Sequence, residues 1–182
     1  MISGPSGAGK GTVIARVLAS LDGVALSVSA TTRAPRPGEV DGVQYHFLSR
    51  AAFERAVDEG RFLEWVEYGG NLYGTLRDDV EQRLARGDDV ILEIELEGAR
   101  AVRRALPEAS SIFIAPPSFA ELVARLRGRA TESEQDIAAR LRIAHDEVAA
   151  AREFDHVVIN DEADRAAREV TEFILARRKA SA

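Results

Sequence analysis

Near its start the chain reads Gly4-Pro5-Ser6-Gly7-Ala8-Gly9-Lys10-Gly11-Thr12. The apolar residues that follow fall on one face of a helix: Val13, Ile14, Val17, Leu18 and Leu21. Glycines ahead of a helix allow several backbone N–H groups to converge on an anion at the positive helix end, and a lysine at this point can bridge two phosphates. The pattern therefore predicts a phosphate-binding loop.

This loop resembles the Walker A motif, with one departure. The Walker A consensus has Ser or Thr directly after the lysine, whereas this chain has Gly11 there and Thr12 next. The Gly-Lys-Gly-Thr variant is similar to that of nucleoside monophosphate kinases. A magnesium ion would then be held through water molecules or by Thr12 rather than by a side chain at position 11.

Outside the loop, short β-rich runs alternate with longer helical patterns. The runs are residues 24–29, 90–95, 111–115 and 156–159. Ser118 with Glu121 and Ser133 with Asp136 fit capping boxes at helix starts, and Gly60, Gly87 and Pro107 follow predicted helix ends. The alternation predicts an α/β fold with a parallel sheet flanked by helices.

Composition narrows the class of protein. The chain has 182 residues, of which 46% are apolar, so one compact domain can bury a large core. It has no cysteine, which excludes disulfide frameworks and thiolate metal sites, and its net charge of -6 argues against a general nucleic-acid binder. No apolar run approaches the roughly 18 residues of a membrane helix. We therefore expect a cytoplasmic protein without a membrane or nucleic-acid partner, and the sequence leaves monomer and homo-oligomer open.

The segment between residues 30 and 89 differs in composition from the rest of the chain and contains the only tryptophan, Trp65. It begins with a loop rich in proline, residues 34–38. Two arginines three apart, Arg33 and Arg36, together with the hydroxyl of Tyr45, can surround a dianionic phosphate through charge-assisted hydrogen bonds. The segment therefore looks like a module inserted between core strands, although two surface arginines taken alone are more often solvated charges than a binding site.

Here the similarity to a known family becomes specific. Residues 27–39 and 41–47 resemble the GMP-binding segment of guanylate kinases. Further stretches are similar to other motifs of that family and follow in the family's order: 62–65, 70–75, 93–99, 125–129, 139–141 and 157–161. The resemblance spans essentially the whole chain. It implies Mg²⁺-dependent transfer of the γ-phosphoryl group of ATP to GMP, giving ADP and GDP in purine nucleotide metabolism, and the same transfer to dGMP.

The resemblance also implies how GMP is bound. Guanine presents N1–H and N2–H₂ donors beside the O6 acceptor, so a carboxylate such as Glu64 can accept while Ser29 and Thr75 donate. By their matching positions, the residues expected to bind GMP are Ser29, Arg33, Arg36, Glu39, Tyr45, Glu64, Tyr73, Thr75 and Glu95. Taken without the family, Glu93 and Glu95 would also fit a solvated strand edge.

On the ATP side, the resemblance implies binding by residues 4–12 together with Arg129 and Asn160, the latter near the adenine. The expected catalytic residues are Lys10, Arg36, Arg129 and Arg140, and the expected metal contacts are Thr12 and Glu93. The single domain would consist of a core at about 1–29, 90–126 and 146–182, a GMP-binding module at about 30–89 and an arginine-rich lid at about 127–145.

Two alternatives remain open at this point. One is a catalytically inactive, guanylate-kinase-like protein-binding module, which would lack a working phosphate loop, whereas Lys10 and its glycines are intact here. The other is a related P-loop kinase with a different acceptor, against which Glu64, Ser29 and Thr75 argue. Any single arginine of the predicted lid would also fit an ordinary salt-bridged helix.

Overall fold

The computed structural model describes residues 1–127 and 134–181, without the side chains of 134–140 and 181. The strands are β1 (Ile2–Ser3), β2 (Val24–Leu26), β3 (Ala30–Thr31), β4 (His46–Phe47), β5 (Phe62–Tyr68), β6 (Asn71–Leu76), β7 (Asp89–Ile91), β8 (Ile112–Ala115) and β9 (His156–Ile159). The α-helices are α1 (Lys10–Ser20), α2 (Arg50–Asp58), α3 (Arg77–Ala85), α4 (Leu96–Ala105), α5 (Phe119–Arg127), α6 (Glu134–Ala149) and α7 (Ala163–Ser181). A 3-10 helix covers Ala150–Glu153.

The chain forms two compact units. The first consists of Met1–Asp22 and Ser110–Ala182, and the second of Gly23–Ala109. Parallel strands with helices packed around them confirm the predicted α/β class. The predicted GMP-binding module lies within the second unit, and its exact extent stays a prediction. None of the helices that the structure describes is long and apolar enough to cross a membrane.

The first unit is built on a three-stranded parallel sheet with the order β1-β8-β9. The central strand, β8, is apolar throughout and its Phe113 and Ile114 are fully buried, as is typical of a strand covered on both faces. Helices α1 and α7 pack against each other, and their buried residues include Val17 and Val170. Strand β1 is only two residues long, and the glycine-rich loop follows it directly.

The second unit holds a four-stranded sheet with the order β4-β3-β6-β5, in addition to the parallel pair β2 and β7. A hairpin joins β5 to β6 through Gly69 and Gly70, which have φ of 58° and 77°. Two consecutive residues with positive φ suit the type I′ turn that matches the twist of a hairpin. Phe53 of α2 stacks on Phe62 of β5 with ring centroids 4.3 Å apart, which ties the helix to the sheet.

Several predicted boundaries are confirmed. Ser118 Oγ accepts a hydrogen bond of 3.1 Å from Glu121 N at the start of α5. Gly60 and Gly87, with φ of 68° and 89°, follow α2 and α3, at a position where helices commonly have a left-handed residue. Pro107 follows α4, as predicted. The predicted capping residue Ser133 lies outside the described residues.

Two of the predicted strands are shorter than expected. The run 24–29 forms a strand only to Leu26, because Ser29 already directs its carbonyl to His46 N at 2.9 Å. The run 90–95 ends as a strand at Ile91, and Glu95 is the residue before α4 rather than the end of a strand. Strands β2 and β7 pair over only three residues, and the backbone of both strands then leaves the parallel sheet.

Candidate active site

The glycine-rich loop contains backbone conformations that favour glycine. Gly7 and Gly9 have φ of 91° and 89°, which favours glycine strongly, and Ala8 N donates to Pro5 O at 3.0 Å. At Gly4, a Cβ atom would lie 2.2 Å from the carbonyl oxygen of Ile114, so only glycine allows the loop to leave β1 this close to β8. Lys10 is buried, and its Nζ donates to Gly4 O at 2.5 Å. The lysine therefore lies across its own loop.

Asn160, at the end of β9, supports this loop from the side. Its side-chain Nδ2 donates a 2.7 Å hydrogen bond to Ala8 O, and its backbone carbonyl accepts a hydrogen bond of 3.0 Å from Arg125 Nη2. Gly7 packs against the side chains of Leu122 and Leu126 of α5. The predicted contact of Asn160 with adenine stays a prediction, whereas the link from Arg125 was not foreseen, because a single helical arginine gives no sequence signal for it.

In the second unit, Arg33 and Glu39 form a bidentate ion pair. The Nη1 and Nη2 atoms of Arg33 donate to the two carboxylate oxygens of Glu39 at 3.0 and 2.9 Å, and Arg36 N donates to the same carboxylate at 2.7 Å. The hydrogen bonds from Arg33, followed by that from Arg36 N, lower the pKa of Glu39. Glu39 therefore holds both the guanidinium of Arg33 and the backbone at Arg36.

Two aromatic rings lie near the guanidinium of Arg33. The guanidinium carbon of Arg33 lies 5.3 Å from the ring centroid of Tyr45 and 5.7 Å from that of Phe47, within cation–π range. The ring of Tyr73 meets that of Tyr45 edge-on at 6.1 Å. Burial, then the charges of Tyr73 and Glu93, raise the pKa of the Tyr45 hydroxyl. That hydroxyl is therefore a neutral donor for an anion near Arg33.

Glu64 and Thr75 face each other across the β5–β6 hairpin. Their side chains are 6% and 1% exposed, and Thr75 Oγ1 donates to Glu64 Oε1 at 2.7 Å. Burial raises the pKa of the Glu64 carboxyl, while the hydrogen bonds from the side chain and backbone of Thr75 lower it. A carboxylate has several lone pairs, so a buried one can accept further hydrogen bonds from neighbouring N–H donors.

For the other predicted residues, the structure gives their exposure and the element in which they lie. Ser29 is half-buried, Arg36 is exposed in its loop, and Glu95 is exposed before α4. Gly11 and Thr12 are exposed in the first turn of α1. Arg129 lies outside the described residues, as does the side chain of Arg140, although its backbone belongs to α6.

A metal site formed by the protein alone is not found in the part of the chain that the structure describes. There, no three His, Cys, Asp or Glu side chains group together as metal ligands. Thr12 and Glu93, the predicted metal contacts, belong to the first and second unit respectively. Magnesium usually binds through one or two protein oxygens and the phosphates of its substrate, which needs no such group.

Comparison with known proteins agrees with these features. A family model described as guanylate kinase matches residues 1–177. The guanylate kinase of Rubrobacter xylanophilus is 58% identical over 174 residues, which cover 96% of this chain and 91% of that protein. The guanylate kinase of Synechococcus sp. (strain CC9311) is 53% identical over 170 residues, which cover 93% and 90%.

A solved structure gives the same result. The crystal structure of guanylate kinase from Anaplasma phagocytophilum has a TM-score of 0.79 and 32% sequence identity to this chain, and the match covers 97% of this chain and 83% of that one. The chain therefore belongs to the guanylate kinase family and is a nucleoside monophosphate kinase.

Proposed function

We propose that this enzyme, acting in the cytoplasm, transfers the γ-phosphoryl group of ATP to GMP or dGMP with Mg²⁺, in purine nucleotide metabolism. The observation that carries the choice of acceptor is the buried pair of Glu64 and Thr75. Burying a carboxyl group costs free energy unless a ligand or partner uses it. Guanine supplies the partner, since its N1–H and N2–H₂ groups are adjacent donors.

Thr75 acts mainly by holding Glu64. A threonine hydroxyl has one hydrogen to donate, and that of Thr75 points at Glu64 Oε1. While this bond is kept, Ser29 is the hydroxyl left to donate to guanine O6. Thr75 could serve O6 only by releasing Glu64, so we assign the primary contact with O6 to Ser29.

The arginine and tyrosine cluster suits the phosphate of GMP. The ion pair with Glu39 orders the guanidinium of Arg33 beside the ring of Tyr45, which reduces the entropy lost when a phosphate binds. Arg36, exposed in the same loop, supplies a second guanidinium, and Tyr45 and Tyr73 supply hydroxyl donors.

The phosphate loop is proposed to bind ATP, with Lys10 acting on the transferring phosphoryl group. Because Lys10 Nζ lies on Gly4 O, binding of ATP would exchange one acceptor oxygen for phosphate oxygens without long-range movement of the side chain. Arg129 and Arg140 are proposed to serve ATP and closure of a lid at about 127–145. If so, alanine at either position slows single-turnover transfer more than it weakens GMP binding.

Oxygen atoms of Thr12 and Glu93 fit a magnesium ion that is bound chiefly by nucleotide phosphates. When bound, Mg²⁺ neutralises charge on the β- and γ-phosphate oxygens. No side chain need act as a general base, because the second pKa of a phosphate monoester is about 6 and the attacking oxygen of GMP is already ionised at pH 7.

A coupled assay of ADP release tests this proposal with GMP, dGMP, AMP, CMP and UMP as acceptors and with EDTA as the metal control. We expect release with GMP and dGMP only, and none without divalent cation. Release with AMP or a pyrimidine nucleotide would contradict the acceptor. No release with any acceptor would favour the inactive binding module, against which the intact loop and the relatives named guanylate kinase argue.

A further inference from the structure

Gly98, in the first turn of α4, lies directly against the carboxyl group of Glu64. A Cβ atom built on Gly98 would be 2.8 Å from Glu64 Oε2 and 3.3 Å from Glu64 Cδ. Real Cβ atoms essentially never approach another atom within 3.0 Å. The position of this carboxyl group therefore depends on the absence of a side chain at residue 98.

The backbone gives no other reason for glycine at this position. Gly98 is helical and lacks the positive φ that strains other residues, unlike Gly60 or Gly87 at helix ends. Inside a helix, glycine is less favourable than alanine because it loses more conformational entropy on folding. Helix α4 would thus be more stable with alanine at 98, and what alanine would disturb is the contact with Glu64.

Glu64 has little freedom to move away. On one side its Oε1 accepts from Thr75 at 2.7 Å, and on the other its Oε2 faces Gly98. The backbone of Glu64 is also closely packed, because a Cβ atom on Gly74 would lie 2.8 Å from Glu64 O. A methyl group at 98 would therefore be accommodated by rotating the carboxyl group away from Thr75.

We propose that Gly98 is a positioning residue for acceptor specificity: its missing side chain leaves the space in which the Glu64 carboxylate is held ready for the N–H donors of guanine. The inference rests on the proposed function, in which Glu64 reads guanine. The side chains nearest to a Cβ atom at residue 98 are those of Glu64 and Ile94, neither of which is proposed to bind phosphate, so we expect its effect to be confined to the choice and binding of the acceptor.

The test compares Gly98→Ala, Glu64→Ala and the double variant with the wild type, using kcat/KM for GMP and AMP and KM for ATP. Displacing a recognition group by about 1 Å costs on the order of 10²-fold, so we expect kcat/KM for GMP to fall about 100-fold in Gly98→Ala while KM for ATP stays within about twofold. In the Glu64→Ala background, Gly98→Ala should have no further effect, because two residues that act through one contact are not additive.

Ala101→Gly is the matched control, since it alters the same helix at a half-buried position outside the described contact with Glu64. We expect this variant to lower the melting temperature and to leave the ratio of kcat/KM for GMP and AMP unchanged. If Gly98→Ala fails to fold, thermal unfolding of the double variant decides the matter. Removal of the carboxyl group should restore folding if the collision is with Glu64, and continued failure to fold would overturn the inference.

Failure of the inference and failure of the proposed function give different results. If Glu64→Ala abolishes the preference for GMP but Gly98→Ala keeps it, Gly98 has no positioning role and the proposed reading of guanine stands. If Glu64→Ala itself keeps the preference, guanine is read elsewhere, and both the assignment of Glu64 and the inference from it are wrong. Additive losses in the double variant would also contradict the inference.

Discussion

The side-chain amide of Asn160 donates a 2.7 Å hydrogen bond to the backbone carbonyl of Ala8, at the centre of the glycine-rich loop. Both residues are buried. The backbone of the same asparagine is also bound: its carbonyl accepts from Arg125 of α5, and its N–H donates to Ala115 O at the end of β8. The conformation of the loop is thus tied to two strand ends and a helix by one side chain and its backbone.

Removing this amide should weaken both the loop and ATP binding. In Asn160→Ala the carbonyl of Ala8 loses its partner in a buried place, so we expect a loss of about 1–3 kcal/mol in the free energy of unfolding. KM for ATP should rise about tenfold, which corresponds to about 1.4 kcal/mol. Asn71→Ala is the control, because it removes an exposed asparagine bond of 3.4 Å to Gly69 O in the hairpin turn. Equal effects of the two substitutions would argue against support of the loop by Asn160.

Lys10→Ala should reduce turnover far more than GMP affinity. The ammonium group is expected to stabilise charge on the transferring phosphoryl group, and the loss of one such preorganised group costs roughly 10²–10³-fold in kcat. Steady-state kinetics with both substrates, compared with the exposed Lys179→Ala, measures this. Near-normal turnover in the Lys10 variant would contradict the assignment of the phosphate loop.

Glu39→Gln should raise KM for GMP without a comparable change in KM for ATP. The amide cannot accept two hydrogen bonds from Arg33 as well as one from Arg36 N with the strength of a carboxylate, so the arginine becomes less ordered. Glu54→Gln, which breaks an exposed pair with Arg50, is the matched control. We expect the control to behave as the wild type. A KM for GMP that does not change would mean that Glu39 does not orient Arg33.

Glu64→Gln should lower the preference for GMP over AMP. Wild-type selectivity built on buried hydrogen bonds can reach roughly 10⁴-fold, since adenine would turn its unprotonated N1 toward the carboxylate. The amide of glutamine places a donor opposite the N–H groups of guanine, so kcat/KM for GMP should fall while KM for ATP is kept. Measuring kcat/KM for both acceptors in wild type and variant checks this, and an equal ratio would place base recognition elsewhere.

Stability should depend on pH through Glu64. Burial raises its pKa in the folded protein above the ordinary 4.5, so between 4.5 and the raised pKa the native state binds more protons than the unfolded state. The free energy of unfolding therefore falls as pH rises through this window, and below 4.5 the penalty is absent. Denaturant unfolding of wild type and Glu64→Gln at a series of pH values measures the difference. A difference that grows in favour of the wild type as pH rises would contradict a raised pKa.

Local signals were enough to predict much of the fold and to propose part of the candidate site. The glycines and lysine of residues 4–12 predict a phosphate loop because the allowed backbone angles and the helix that follows are properties of neighbouring residues. Ser118, Gly60 and Gly87 predicted helix boundaries for the same reason. The shortened strands, in contrast, depended on where the chain leaves one ladder to join another, which no local pattern contains.

The contacts that distinguish this site came from the tertiary structure. Asn160 meets Ala8 across 152 positions of sequence, because β9 ends beside the glycine-rich loop. Glu64 meets Thr75 through the register of a hairpin, and it meets Gly98 because α4 packs on β5. The sequence alone was sufficient to predict the glycine-rich loop and the periodicity of the helices, because these depend on local backbone sterics and hydrophobic patterning. Which of these residues touch is decided by strand order, register and helix packing, since those bring together groups that are far apart in the chain.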